Sequence, residues 1–257
     1  MNRVVFLLSD FGVSDTYVAQ MKAVILSMSS DRISIIDLTH DIKAGSVTEG
    51  AFHLYVSRKV IPAGSVVVAV VDPGVGTVRG GVVCEVEGTH YVGPDNGLFG
   101  LLPSGNCWRL PDHPGGSSNT FHGRDVFAPA GARLILDPGW VQYLEPVDTE
   151  KLVPLEIETP SRNDDGLKVT VAHIDRFGNA VLWLSTSAAC GFHPSELRLP
   201  DGRIESIKEV STYADNPGIL YLQGSQGFME IAVSRGSASE LLGLTIGNRI
   251  LLRERKR

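Results

Sequence analysis

Three apolar segments of this chain each lead into a side chain that could do chemistry. The third, Val66–Val71, is an unbroken Val/Ala sequence typical of a strand buried on both faces, and Asp72 follows it directly. Pro73 ends the strand, glycines then allow a ligand to approach the backbone, and Arg79 follows. A carboxylate and an arginine on a glycine loop at the carboxyl end of a buried strand are typical of catalytic sites in open α/β sheets. A tight turn with a surface salt bridge would show the same pattern, so this stretch alone leaves both interpretations open.

The same placement recurs in the two earlier segments. Val4–Ser9 precedes Asp10, and Ile33–Leu38 precedes His40. Carboxylates at strand ends can bind sugar diols, amines or cations. No metal-ligand spacing such as HExxH is present, and the glycine loop lacks the lysine of a P-loop. Several negative charges stand with few lysines, which disfavours a phosphate-rich substrate. The candidate catalytic groups are Asp10, Asp15, His40, Asp72, Arg79, His122, Asp125 and Asp175.

Helical periodicity predicts the elements between these strands. Apolar residues recur at helical spacing over residues 18–28, with Asp15 as a candidate cap. Ser46 and Glu49 have capping-box spacing before a helix through Val56. The order β-α-β-α-β predicts an α/β fold with a mainly parallel sheet and helices on both faces.

The pattern changes towards the C-terminus. Residues 102–118 are predicted to form a surface loop leading to the polar cluster Phe121–Asp125. We expect an α/β domain at 1–150, a linker at 151–164 and a β domain, barrel or sandwich, at 165–257. The strands predicted beyond the third are Val82–Val86, His90–Val92, Lys168–Ile174, Ala180–Leu184, Ile219–Gln223, Phe228–Val233 and Arg249–Arg253, with one short helix capped by Ser237 and Glu240.

Composition limits the class of partner. The 257 residues are 43% hydrophobic and 20% charged, which is ordinary for a soluble globular protein. A net charge of −6 argues against nucleic acid or an anionic membrane as the main partner, and no stretch approaches the length of a membrane span. Cys84, Cys107 and Cys190 are odd in number and widely spaced, which predicts neither a disulfide framework nor a metal site and indicates the cytoplasm.

Six short motifs occur together and in order along the chain. They are SDFGxxD at Ser9–Asp15, DLTH at Asp37–His40, VDPGVGT at Val71–Thr77, GPDNG at Gly93–Gly97, FHGRD at Phe121–Asp125 and DRFGN at Asp175–Asn179. In these motifs the whole chain resembles the S-adenosylmethionine hydroxide adenosyltransferases, also called S-adenosylmethionine hydrolases (adenosine-forming). These are relatives of the fluorinating and chlorinating enzymes that use the same substrate. The resemblance implies an N-terminal α/β domain, a C-terminal β-barrel domain and a homotrimer with active sites between subunits.

The resemblance also implies a reaction, in which water or hydroxide attacks C5′ of the ribose and methionine leaves, so that adenosine forms. It implies no metal and no cofactor, because the sulfonium is already a good leaving group. Asp72, Arg79 and His122 would activate the water. The implied substrate-binding positions are Asp10 for the ribose diol, Asp15 and Asp175 for the methionine ammonium, Ser234 for its carboxylate, and Phe177, Asn179, Ser237 and Ala238 for the adenine; the role of Arg235 is left open.

Three alternatives remain at this point. A halogenating enzyme is disfavoured because those relatives carry tyrosine where Asp72 and His122 stand, and a carboxylate would repel a halide. A non-catalytic binder of S-adenosylmethionine or adenosine would not need Asp72, Arg79 and His122 together. A metal-dependent hydrolase would use Asp10, His40 and Asp72 as ligands.

Overall fold

The structure is a computed structural model that describes residues 3–28, 33–111, 118, 120–214 and 217–254. Its chain divides into two compact units, Met1–Glu156 and Ile157–Arg257.

The first unit is built on one sheet of seven strands in the order β2-β1-β3-β5-β4-β6-β7. Strands β2, β1, β3 and β5 are parallel, whereas β4, β6 and β7 pair antiparallel. The chain leaves β1 towards β2 and leaves β3 towards the other edge, so β1 and β3 flank a topological switch point. The strands are β1 Arg3–Ser9, β2 Ile33–Thr39, β3 Val66–Val70, β4 Gly81–Val86, β5 Thr89–Pro94, β6 Asn106–Arg109 and β7 Glu145–Val147.

Three helices pack with this sheet, α1 at Tyr17–Ser27, α2 at Val47–Ser57 and α3 at Ala128–Leu136. All five residues of β3 are buried, as the unbroken Val/Ala sequence predicts. The predicted cap of α1 is wrong, and the predicted cap of α2 is correct in position but not in its hydrogen bond. Thr16 rather than Asp15 precedes α1, and Ser46 precedes α2 without a capping hydrogen bond from its side chain. Glu49 accepts a hydrogen bond from the backbone N–H of Lys43, and the backbone N–H of Ser46 donates to the carbonyl oxygen of Lys43.

Two predictions for the region after β5 are also wrong. The predicted surface loop contains β6, which pairs with β4 and β7 inside the sheet. Cys84 and Cys107 stand opposite each other in that pairing and form a disulfide, contrary to the expectation from spacing alone. Cys190 is free and exposed. The disulfide ties β6 to β4, whose first residue follows Arg79 and Gly80.

The second unit contains the β-barrel that the resemblance implied. Seven strands close into a ring in the order β10-β14-β13-β12-β11-β15-β9, because β9 also pairs with β10, and β8 extends the sheet from β9. The short helix α4, Ala238–Leu242, follows β14, and the side chain of Ser237 caps it by accepting the backbone N–H of Glu240. The strands are β8 Ser161–Asn163, β9 Gly166–Ile174, β10 Ala180–Ser185, β11 Glu196–Arg198, β12 Ile204–Glu209, β13 Ile219–Gln223, β14 Phe228–Val233 and β15 Arg249–Arg253.

Within the described parts of the chain, no helix is both long and apolar enough to cross a membrane.

Candidate active site

Asp72, Arg79 and His122 meet at the carboxyl end of β3. Nε of Arg79 donates to Oδ1 of Asp72 at 2.9 Å, and Nη2 donates to Oδ2 of the same carboxylate. Nη2 also lies 2.8 Å from Nδ1 of His122. The side chains of Arg79 and Asp72 are 10% and 4% exposed, and His122 is 2% exposed. Asp72 and Arg79 lie close together in the sequence, His122 lies 43 positions beyond Arg79, and the fold brings the polar groups of all three into one buried cluster.

The contact with Arg79 determines which ring nitrogen of His122 accepts a hydrogen bond. A guanidinium has only N–H donors, so Nδ1 of His122 must accept. The neutral imidazole therefore carries its proton on Nε2. Arg79 is held further by the ring of Phe127, whose centroid is 5.1 Å from the guanidinium carbon.

Asp10 opens onto the same cleft as this cluster. The cleft has a volume of about 280 Å³ and is lined by Asp10, Phe11, Tyr17, Val70, Asp72, Val75, Thr120, Phe121, His122 and Gly123. Oδ2 of Asp10 accepts a hydrogen bond of 2.7 Å from the backbone N–H of Gly45, which orients the carboxylate. Asp10 and Asp72 follow β1 and β3, so the cleft lies at the switch point of the sheet.

The FHGRD motif brings His122 to the cleft through an unusual turn. Gly123–Phe127 form a single π-helical turn that leads into α3, a local geometry frequent at functional sites. Asp125 accepts hydrogen bonds from Arg124 and from the backbone N–H of Ser118. The hydrogen bond from Arg124 is the main cause of the lowered pKa of Asp125. Asp125 therefore stabilises the chain segment around His122, and it is not one of the described residues that line the cleft.

Two further candidates lie away from the cleft lining. His40 is buried, with Nδ1 2.7 Å from Oγ of Ser9 and Nε2 3.1 Å from Oδ1 of Asp37. These contacts join the ends of β1 and β2, and within the described residues His40 does not come together with Asp10 and Asp72 as a set of metal ligands. Asp15 is exposed and is not part of the cleft lining in the described residues.

In the second unit, Asp175 organises the DRFGN turn. Its Oδ1 accepts the backbone N–H groups of Phe177 and Asn179, and its Oδ2 accepts Nδ2 of Asn179. Gly178 has a φ of +82°, and a Cβ there would lie 2.1 Å from Oγ of Ser237. The turn therefore needs glycine at this position. It presents Phe177 with 79% of its surface exposed, while Asn179 is buried.

Asp175, Phe177 and Asn179 line a cavity of about 820 Å³ in this unit. The cavity also contains a carboxylate that the sequence did not indicate, Glu230, which is 6% exposed and accepts a 2.6 Å hydrogen bond from the hydroxyl of Tyr213. Burial raises the pKa of Glu230, and the negative charge of Asp175 raises it further. No motif marks Glu230, because it occupies an ordinary position in a strand.

The remaining predicted binding residues fall just outside that lining. In the described residues the lining includes Arg235, which has a φ of +58°, but not Ser234, Ser237 or Ala238. The side chain of Ala238 is fully buried in the barrel core, so only its backbone is available to a ligand.

Both units of the chain match domains of one known protein family. Residues 5–139 match the SAM hydroxide adenosyltransferase N-terminal domain, and residues 169–251 match the C-terminal domain. An (R)-S-adenosyl-L-methionine hydrolase of Thermus thermophilus is 38% identical over 261 residues, which cover 95% of this chain and 97% of the relative. A fluorinase of an Actinoplanes species is 24% identical over 90% of this chain and 91% of its own. A solved structure of a conserved protein from Thermotoga maritima is 27% identical, with a TM-score of 0.86 over 98% of this chain and 100% of that one.

Proposed function

Because the chain belongs to the S-adenosylmethionine (SAM) hydroxide adenosyltransferase family, we propose that it hydrolyses S-adenosyl-L-methionine to adenosine and L-methionine. The observation that carries this proposal is the buried contact of Arg79 with Asp72 and His122, two residues that line one cleft together with Asp10. A carboxylate, a fixed cation and an imidazole in a partly closed space can hold and deprotonate one water molecule.

The proposed step balances without a cofactor. The oxygen of water bonds to C5′ while the C5′–sulfur bond breaks, and that electron pair leaves with the sulfur of methionine. The proton of the water passes to Asp72, because Nδ1 of His122 already accepts from Arg79. Arg79 stabilises the developing hydroxide, and His122 fixes the guanidinium in place.

The binding roles are proposed on the atoms that remain available. Asp10 binds the ribose diol from a carboxylate that Gly45 already orients. Phe177 offers an exposed ring for stacking on adenine. Since Nδ2 of Asn179 is engaged by Asp175, the carbonyl Oδ1 of Asn179 is the atom that would accept the exocyclic amino group of adenine. The other assignments carried over from the resemblance are Asp15 and Asp175 for the ammonium, Ser234 for the carboxylate, and the backbone of Ser237 and Ala238 for the adenine.

A halogenase and a non-catalytic binder are weaker candidates. Asp72 would repel a halide at the position where the nucleophile must sit, and the fluorinases match at lower identity than the hydrolases. Burying charged groups costs free energy, and such buried groups are typical of functional sites. A protein that only binds its ligand would have no use for a buried carboxylate, guanidinium and imidazole in contact.

We further propose that the protein acts as a homotrimer in which the first unit of one subunit and the barrel of a neighbour complete each site. Apolar side chains exposed on the loops around the cleft support this, because such residues are typical of surfaces that another chain covers. Val13 is 76% exposed, Val75 is 38% exposed and Val78 is fully exposed.

A cytoplasmic location stays a prediction. It was based on unpaired cysteines, and the Cys84–Cys107 disulfide removes that support, since disulfides are rare in reducing compartments. Fractionation of the producing cells, followed by thiol labelling of the protein in each fraction, measures both location and redox state.

The configuration at sulfur is part of the proposal. The sulfonium of SAM is a stereocentre, and the name of the Thermus relative specifies the R form. We propose that this chain also prefers the R epimer. Each epimer should be assayed separately, and equal kcat/KM for both would reject the preference.

The decisive experiment combines an isotope with a competing nucleophile. Reaction in ¹⁸O-labelled water should place the label in the 5′-hydroxyl of adenosine, because attack occurs at carbon. Excess chloride should give no 5′-chloro nucleoside, and a chelator should leave the rate unchanged. Unlabelled adenosine, or a chlorinated main product, would overturn the mechanism.

A further inference from the structure

We infer that Asp95 and Asn96, in the GPDNG motif, are positioning residues that hold the two backbone segments carrying Asp72 and Arg79. The inference deepens the proposed function and rests on it, because the water-activating role of that pair comes from there. From the sequence, the motif indicates only a turn after β5.

Asn96 holds the segment that carries Asp72. Its Nδ2 donates a 2.9 Å hydrogen bond to the carbonyl oxygen of Val71, the residue immediately before Asp72. Strand β3 ends at Val70, so the carbonyl of Val71 lies where the sheet no longer supplies a partner. The side-chain amide takes over that role, as buried backbone carbonyls require. The other end of the amide, Oδ1, accepts the backbone N–H of Leu98 at 3.2 Å.

Asp95 holds the segment that carries Arg79. Its backbone N–H donates to the carbonyl oxygen of Gly80 at 3.0 Å, and Gly80 directly follows Arg79. Its carboxylate, in a residue only 8% exposed, pairs with Nη1 of Arg109 at 2.7 Å and accepts the backbone N–H of Val153 at 2.9 Å. Arg109 in turn lies against Gly80, where a Cβ would stand 2.6 Å from Nη1.

The loop between these two anchor points depends on them. Its outer part is exposed, and its own hydrogen bonds are short-range turns, from Val75 to Asp72 and from Thr77 to Gly74. Asp72 and Arg79 bind each other at the base of the loop. If either anchor is lost, the pair can shift against His122, and a misplacement of about 1 Å can cost on the order of 10²-fold in rate.

The variant Asn96→Asp isolates the proposed contact. It keeps Oδ1 for the N–H of Leu98 and removes the donor to Val71, so the local turn is retained. We expect kcat to fall roughly 10–10²-fold while the dissociation constant for adenosine stays within about twofold. Asn163→Asp is the matched control, because Asn163 also uses Oδ1 to accept a backbone N–H, in an exposed hairpin of the barrel. It introduces the same charge and should leave kcat unchanged.

Hydrogen exchange provides a readout that does not depend on activity. Asn96→Asp should speed amide exchange within residues 72–80 and leave the rest of the sheet protected. Asp95→Asn keeps an acceptor for the backbone N–H of Val153 but weakens the ion pair with Arg109. It should also speed amide exchange within residues 72–80. Active parent enzyme with unchanged kcat and unchanged exchange in Asn96→Asp would overturn the inference. A parent that does not hydrolyse SAM, with faster exchange in the variant, would reject the proposed function and leave the positioning role standing.

Discussion

Arg79 binds Asp72 through two N–H groups of one guanidinium, with Nε on Oδ1 at 2.9 Å and Nη2 on Oδ2. Such a bidentate pair fixes direction as well as distance. Because Nη2 also reaches His122, the same guanidinium sets the position of the imidazole relative to the carboxylate. The three side chains therefore act as one unit, and removing one should impair the function of all three.

The first prediction concerns Asp72→Asn. The amide keeps the size of the side chain but cannot accept the proton of the attacking water. We expect kcat to fall roughly 10²–10⁴-fold, while adenosine affinity measured by calorimetry stays near that of the parent.

Asp201→Asn serves as its control, since Asp201 forms an exposed pair with Arg203 in the barrel unit. The melting temperature of each variant must be measured as well, because breaking a buried ion pair costs about 3–5 kcal/mol. A folded Asp72→Asn protein with parental kcat would reject Asp72 as the proton acceptor.

The second prediction concerns ribose binding by Asp10. Asp10→Asn keeps an oxygen for the N–H of Gly45 and removes the negative charge from the cleft. Adenosine binding should weaken by about 2 kcal/mol, the usual loss for charge-assisted hydrogen bonds. Asp41→Asn, at an exposed position shortly after β2, should leave the affinity unchanged. If Asp10→Asn bound adenosine as tightly as Asp41→Asn does, Asp10 would not bind the diol.

The sequence predicted those parts of the molecule that are marked by a residue pattern within one short segment. Strands β1, β2 and β3 are apolar and each leads into a polar residue, so the residue pattern alone locates their edge of the sheet. Strands β6 and β11 have four and three residues, too few for a reliable period, and were missed. Cys84 and Cys107 pair only because β4 and β6 align in register.

In the candidate site, too, local residue patterns indicated some residues, whereas others depend on long-range packing. Asp72 and Arg79 are close in sequence, and a loop between them could be expected to join them. His122 joins them through the π-helical turn; its residue type made it one of eight candidates, and only the family resemblance grouped it with Asp72 and Arg79. Asn96 and Glu230 were not predicted, because their contacts with Val71 and Tyr213 depend on long-range packing that no residue spacing encodes.

The third prediction is that the stability of the fold depends on pH through Glu230. Its pKa is raised in the folded protein by burial, so the folded state binds this proton more tightly than the unfolded chain. The contribution of Glu230 to the free energy of unfolding is fully present below pH 4.5, the ordinary pKa of a glutamate. It is lost as the pH rises from there through the raised pKa of the folded protein.

Glu230→Gln removes this titration and keeps an acceptor for the hydroxyl of Tyr213. The melting temperature of the variant should exceed that of the parent by a few degrees at pH 8, and the difference should vanish near pH 4. Glu205→Gln, on the partly exposed strand β12, is the control and should show no such trend. A constant difference across the pH range would contradict the raised pKa.

The fourth prediction concerns the disulfide. Cys84 and Cys107 are separated by 23 residues, and closing a loop of that size stabilises a fold by about 3 kcal/mol in the chain-entropy model. Reduction, or the variant Cys107→Ser, should therefore lower the melting temperature. Alkylation of the unreduced, denatured protein should label Cys190 alone. Labelling of all three cysteines would show that the disulfide does not form in the purified protein.

The last prediction tests whether each site is shared between subunits. Asp72→Ala disables the first unit, and Asn179→Ala disables the adenine position in the barrel. If the first unit of one subunit works with the barrel of its neighbour, a mixed trimer contains sites built from one intact unit of each variant. Mixing the two inactive proteins under conditions that allow subunit exchange should therefore restore part of the parental kcat. Mixing two samples of the same variant is the control and should restore nothing. If the mixture remains inactive although native mass spectrometry shows mixed trimers, each site is complete within one subunit; a monomer in the same measurement would reject the trimer itself.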